Sequence, residues 1–171
     1  VPVRFVTIDA SVPTRAAAEV FRTLADYARY PQLTPVVREV QVWTDESGDL
    51  ISSWEVNFRN GILRWTERDV MDTEAMRIDF TQIEGDVAEF AGSWLCRVDG
   101  DGTAVRFEAL VDLGIASLAD VLDPIAARTL AETISAILVG LFGEEVRFDA
   151  IDHETTQLPA GALPFLKEAA A

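Results

Sequence analysis

A chain of 171 residues, 49% hydrophobic and 25% charged, has the composition of a folded domain and the length to bury a substantial core or enclose a cavity. Fourteen Lys and Arg against 29 Asp and Glu leave a net charge of −15, which argues against a binder of nucleic acid or of anionic membranes, since both need a basic footprint. The single Cys96 excludes an intrachain disulfide and a multi-cysteine metal site, and the single His153 excludes a zinc site built on several histidines.

Residues 4–9 alternate in polarity and are expected to form a strand. Ser11 and Pro13 then mark a helix start, and Ala17, Val20, Phe21 and Leu24 follow at helical spacing to about residue 26. Residues 27–31 continue as a short helix or turn closed by Pro31 and Pro35. From residue 36 the period becomes two. Strands are expected at 36–44, 50–59, 62–70, 76–83, 88–98 and 104–113. Polar turns separate them, with Asn60-Gly61 as a two-residue hairpin loop. The period changes again at Leu118, Val121 and Leu122, which open a short helical stretch. Asp123-Pro124 supplies an N-cap and a first helical residue, and Ile125, Leu130, Ile134, Ile137, Leu138, Leu141 and Phe142 place a long amphipathic helix over 124–146. No uninterrupted apolar run reaches the length of a membrane span, and residues 1–10 lack a signal-peptide core, so a cytoplasmic location is expected.

This order predicts an α+β fold. A single antiparallel sheet of about seven strands has one face to bury, and the long helix is its partner. A sheet that curls round one helix leaves an elongated internal cavity between them. The expected division is a domain over 1–150 and a tail over 151–171, loose or packed on the surface.

Five segments carry a resemblance: Val6-Thr7-Ile8-Asp9-Ala10-Ser11-Val12-Pro13, Leu24-Ala25-Asp26-Tyr27-Ala28-Arg29-Tyr30-Pro31, Trp65-Thr66-Glu67-Arg68-Asp69, Phe90-Ala91-Gly92-Ser93-Trp94 and the long helix. Over residues 3–146 the chain resembles the START/Bet v 1-like (SRPBCC, helix-grip) superfamily, in its polyketide cyclase/dehydrase and START-like lipid-transport branch. The resemblance implies a cofactor-independent cyclase/aromatase that folds a poly-β-ketone in the cavity and promotes aldol cyclisation and dehydration. It equally admits a non-catalytic carrier of a lipid, quinone or polyketide, as in the coenzyme-Q-binding branch, and, more distantly, a small protein–protein regulator. It implies a hydrophobic small-molecule ligand, an acyl carrier protein as a further partner, no cofactor and no metal, in a monomer or homodimer. Aromatase/cyclases of the tetracenomycin type have a Trp and an Arg four residues apart on a cavity-facing strand. Placing Arg68 on that arginine puts Arg64, not Trp65, on the tryptophan.

Arg64 and Arg68 share a strand face with Ile62, Thr66 and Val70. If that face is concave, the two guanidiniums stabilise enolate oxygens during ring closure, with Thr66 beside them. If it is convex, they pair with Glu55 or Glu67 in solvent. The expected catalytic residues are Arg68 and Arg64, and the opposite face, with Trp65, is expected outside. Trp54, Phe58, Phe90 and Trp94 are the expected cavity walls. Gln82, on an apolar face, is a candidate hydrogen bond to ligand or helix, and Tyr30 borders the mouth. Cys96 reads as a buried inert thiol and His153 as a surface side chain.

Overall fold

The computed structural model describes residues 3–171. Eight strands form one antiparallel sheet: β1 (Arg4–Val12), β2 (Val37–Thr44), β3 (Leu50–Phe58), β4 (Gly61–Asp72), β5 (Arg77–Gly85), β6 (Glu89–Asp99), β7 (Gly102–Asp112) and β8 (Arg147–Asp152). Their order is β2-β3-β4-β5-β6-β7-β1-β8, so the meander closes back on the first strand and leaves β2 and β8 as edges. Helices α1 (Ala17–Ala25) and α2 (Tyr30–Leu33) join β1 to β2, and α3 (Ala119–Phe142) lies in the grip of the sheet. The architecture is the α+β helix-grip arrangement expected, with eight strands in place of about seven.

The alternation of each strand decides which face is inside. Val6, Ile8, Ala10 and Val12 of β1 are buried, as are Phe90, Trp94 and Cys96 of β6 and Val105, Phe107 and Ala109 of β7. They meet Ala127, Leu130, Ile134, Ile137, Leu138 and Leu141 of α3 in one continuous core. Each such large side chain contributes roughly 1.5–3 kcal/mol on burial. Gly140 of α3 allows the closest approach to α2, since a Cβ there would stand 2.5 Å from Thr34 Cβ. Gly143, at φ 70°, ends the helix.

Three sequence expectations change. The long helix begins at Ala119, before Asp123-Pro124, so Pro124 lies inside it. The Pro124 ring is accommodated in the second turn, where most of the helix's hydrogen-bond ladder lies beyond it. The hairpin loop is Arg59-Asn60, with Arg59 at φ 56°, and Gly61 already pairs with Phe58. The segment after the long helix forms β8, antiparallel to β1.

The tail packs on the convex face. Ala162 and Leu166, the latter in α4 (Pro164–Ala169), join Phe5, Ala91 and Leu110 in a second apolar cluster. Beneath it Glu108, fully buried, accepts the Leu163 backbone N–H at 2.9 Å and pairs with Arg106 at 2.9 Å. Arg106 also bridges to Asp9, so this buried carboxylate is fully partnered. α3 is long and apolar enough to cross a membrane by composition, but here it is the buried core helix.

Candidate functional site

Between α3 and the concave face of the sheet lies a small cavity of about 40 Å³. Tyr27 and Tyr30 border it from the turn after α1; Trp54, Val56 and Phe58 from β3; Leu63, Trp65 and Glu67 from β4; Phe80, Phe90, Trp94 and Phe107 from β5, β6 and β7. Leu130, Thr133, Ile134 and Ile137 of α3 close it. A second space of about 10 Å³ shares the Phe58, Leu63, Trp65, Phe90 and Leu130 walls and continues to Gln82, Val87 and Ala126.

The aromatic walls form a connected cage. Trp54 and Trp65 sit directly opposite each other across the β3–β4 ladder and stack at 5.7 Å with planes 2° apart. Tyr27 and Tyr30 meet Trp54 edge-on at 4.9 and 5.3 Å, and Phe90 meets Trp65 edge-on at 5.4 Å. Such pairs add about 0.5–1.5 kcal/mol each beyond their burial.

The polar content is concentrated on β4. Glu67 and Asp69 are 4% and 3% exposed and point inward with Trp65. Trp65 Nε1 donates to Glu67 Oε1 at 2.6 Å. Ser52 Oγ donates to Asp69 Oδ2 at 2.6 Å and accepts from Trp54 Nε1 at 2.9 Å, while the Tyr27 hydroxyl approaches Asp69 at 3.5 Å. Burial pushes Glu67 well above the ordinary carboxylate range, and the adjoining Asp69 charge and a hydrogen bond shared with Asp69 push it further. Asp69 is raised too, by burial, but the Glu67, Ser52 and Tyr27 hydrogen bonds oppose that rise. Two acids this close in a buried site disfavour double ionisation, and the protonated form is the one favoured at Glu67. Burial and the two acids likewise raise Tyr27 and Tyr30, so both phenols are neutral. The Tyr30 hydroxyl donates to Leu24 O at 2.6 Å.

The expected catalytic arginines lie on the other side of the sheet. Arg64 is exposed and pairs with Glu55 at 2.8 Å. Arg68 reaches Asp49 at 3.0 Å and Asp45 at 3.6 Å in the β2–β3 turn. Thr66 bonds Ser53 on the same outer face, at 3.2 Å. Alternation forces this: the face with Arg64, Thr66 and Arg68 is opposite the one that carries Trp65, Glu67 and Asp69. The expectation that Trp65 lies outside is corrected with it.

The remaining candidates cluster as a set. Trp54, Phe58, Phe90, Trp94 and Tyr30 all border the main space. Gln82 borders the second, where its Nε2 donates to Val87 O at 2.9 Å. Its Oε1 is buried and without a partner among the described residues. Cys96 is buried and its thiol is pushed up to about 12, the position of an inert group. Glu67, Asp69, Ser52 and Leu63 were not singled out from the sequence. The signal for them was the tryptophan they flank, once its face is known.

A helix-grip fold with an aromatic cavity admits many ligands, and sequence comparison decides the family. The profile of the polyketide cyclase/dehydrase and lipid transport family matches residues 14–138. The chain belongs to that family. It is 28% identical over 165 residues to the actinorhodin polyketide synthase bifunctional cyclase/dehydratase of Streptomyces coelicolor, covering 91% of this chain and 49% of that protein. The chain thus spans about half the length of this curated relative. Among solved structures, the Zhui aromatase/cyclase from Streptomyces sp. R1128 superposes with a TM-score of 0.72 at 20% identity, over 84% of this chain and 93% of that one. The di-domain aromatase/cyclase BexL from the BE-7585A pathway gives 0.62 at 24% identity, over 81% of this chain and 45% of that one. These two likenesses establish the fold.

Proposed function

We propose that the protein binds a poly-β-ketone or an aromatic polyketide intermediate in the space between the sheet and α3 and promotes its aldol cyclisation and dehydration. The observation that carries this reading is the aromatic cage around Trp54 and Trp65, with a buried carboxyl group in its wall. Flat, conjugated enol and arene surfaces stack on such walls. Trp54, Phe58, Phe90, Trp94 and Tyr30 are the proposed substrate-binding side chains. Gln82 Oε1, an acceptor with no partner among the described residues, offers a hydrogen bond to a ligand hydroxyl at the far end.

A chain with several reactive carbonyls cyclises unselectively in water. A cavity that fixes one conformer and excludes water makes one ring closure effectively intramolecular, which is worth up to roughly 7–11 kcal/mol. The space of about 40 Å³ is smaller than a ring-sized ligand needs. A dry cavity of about 150 Å³ holds benzene. Binding therefore requires the aromatic side chains to part. An acyl carrier protein is the partner this reading takes for presenting the chain. Carriage without chemistry is the alternative reading, favoured by walls that are almost wholly apolar.

The test uses a soluble poly-β-ketone thioester. Under the proposal it quenches the stacked tryptophans, and the protein redirects its cyclisation to one dominant product seen by mass spectrometry. Quenching with no change in the spontaneous product mixture supports carriage instead. No quenching overturns both readings.

A further inference from the structure

The Glu67–Asp69 pair is unusual for its surroundings. An acid 4% exposed inside an aromatic cage loses most of its hydration, and that loss is costly unless the group is neutral or partnered. Glu67 accepts from Trp65 Nε1 at 2.6 Å and stands beside Asp69 on the inward face of β4. Asp69 is held from below by Ser52 Oγ at 2.6 Å, itself fixed by Trp54. Of the two carboxyls, Glu67 borders the cavity. Around it the charged and titratable groups are few. Tyr27 and Tyr30 face it from the turn after α1, Asp69 adjoins it on β4, and α3 contributes only Leu130, Thr133, Ile134 and Ile137.

Resting on the cyclase reading above, we infer that Glu67 is a catalytic residue, giving a proton to the substrate carbonyl and taking one back, with Asp69 as its positioning residue. In the step, the enol carbon forms the new C–C bond to the ketone carbon. The ketone π bond breaks, and its oxygen takes the Glu67 proton to become the new hydroxyl. The enol O–H bond gives its proton to the Glu67 carboxylate as the enol becomes a ketone. The acid ends as it began, and no oxidant, reductant or metal takes part. A neutral carboxyl suits this chemistry because it donates and accepts in one group. The same placement sets the substrate class. A buried acid pair in the cavity wall disfavours free carboxylate or enolate chains and accepts neutral keto and enol forms.

The experiment compares wild-type protein with E67Q and D69N on the poly-β-ketone thioester, measuring affinity by tryptophan quenching and ring closure by product analysis across pH. E67Q keeps the shape and is expected to bind within about twofold while losing catalysed closure by about 10²–10⁴-fold. E67D, which restores an acid one methylene shorter, regains part of the rate. D69N removes the neighbouring charge, so the Glu67 proton is lost at lower pH and the alkaline limb of the rate profile moves down. A merely structural Asp69 would lower the rate without moving that limb. Catalysed closure by E67Q within about threefold of wild type, with binding kept, overturns the inference and leaves the cyclase reading standing. Wild-type protein that leaves the product mixture unchanged overturns the cyclase reading and the inference with it. If E67Q does not fold, the E67D and D69N profiles decide: an unmoved limb in D69N and a wild-type profile in E67D overturn the role.

Discussion

Truncating Phe90 to alanine probes the cavity itself. Phe90 is 5% exposed, packs against Trp65 and Phe80, and borders both the space of about 40 Å³ and that of about 10 Å³. It carries no polar atom, so its removal leaves no hydrogen-bond partner stranded. Loss of a buried Phe ring costs about 3–5 kcal/mol, and a residual void near 100 Å³ would account for about 2.4 kcal/mol of that. For a chain of this size the cost lowers the melting temperature by about 6–20 °C. Joined to the two existing spaces, that void approaches the roughly 150 Å³ that holds benzene, and with walls of aromatic rings, Leu130 and Ile134 it admits benzene. At a hundred times its dissociation constant, that ligand returns about 2.7 kcal/mol, or about 5–11 °C. Thermal melts of wild type and F90A, with and without benzene, read both effects. A loss below about 1 kcal/mol, or no ligand-dependent recovery in F90A, would refute the reasoning, because Phe90 would then not be the wall of an enclosed apolar space.

Other consequences are open to direct measurement. Because the folded protein holds the Glu67 proton more tightly than the unfolded chain, both states are protonated at low pH and the unfolded state releases its proton first as pH rises. Stability therefore falls through that window by up to about 1.4 kcal/mol per pH unit. Urea unfolding at mildly acidic and at neutral pH should show this decline in wild type and its loss in E67Q; an identical slope in both would contradict the assignment. R68A removes an exposed ion pair with Asp45 and Asp49 and should cost less than about 1 kcal/mol while leaving ring closure unchanged, as product analysis would show. L166A empties a fully buried position under the tail and should cost about 2–5 kcal/mol in chemical denaturation, whereas a loose tail would cost nothing.

The long helix was legible because its apolar positions recur at three and four, and the strands because theirs recur at two. β8 was not legible: all six of its residues are exposed at the sheet edge, so no buried face imposes a pattern. The start of α3 was obscured by Asp123-Pro124, a pair that imitates a helix N-terminus, although Ala119 to Leu122 already continue the coil of the helix. Of the two expected states of the tail, the packed one is found, and the face it covers was not legible, because Leu166 and Ala162 match the outer side of β1, β6 and β7, which the concave-face pattern does not reveal.

The orientation of β4 follows from the hairpin that joins it to β3. Any two-residue hairpin pairs even positions on one strand with odd positions on the other, and cross-strand partners share a face. If Trp54 points inward, its partner on β4 must be odd-numbered, and Trp65, Glu67 and Asp69 follow it. Arg64 and Arg68 cannot share the cavity with Trp54. The spacing of the arginines does not decide the face of the strand; the pairing across the hairpin does. The carboxyl pair was then invisible, because it lay on the strand face already assigned to solvent.

The most direct test of the account is a crystal structure of the protein soaked with an aromatic or poly-β-ketone ligand. The account predicts density between α3 and the sheet, stacked against Trp54 or Trp65, with an oxygen in hydrogen-bond reach of Glu67 and the cage side chains displaced. Ligand density on the convex face beside Arg64 and Arg68, with the cage unchanged, would contradict it.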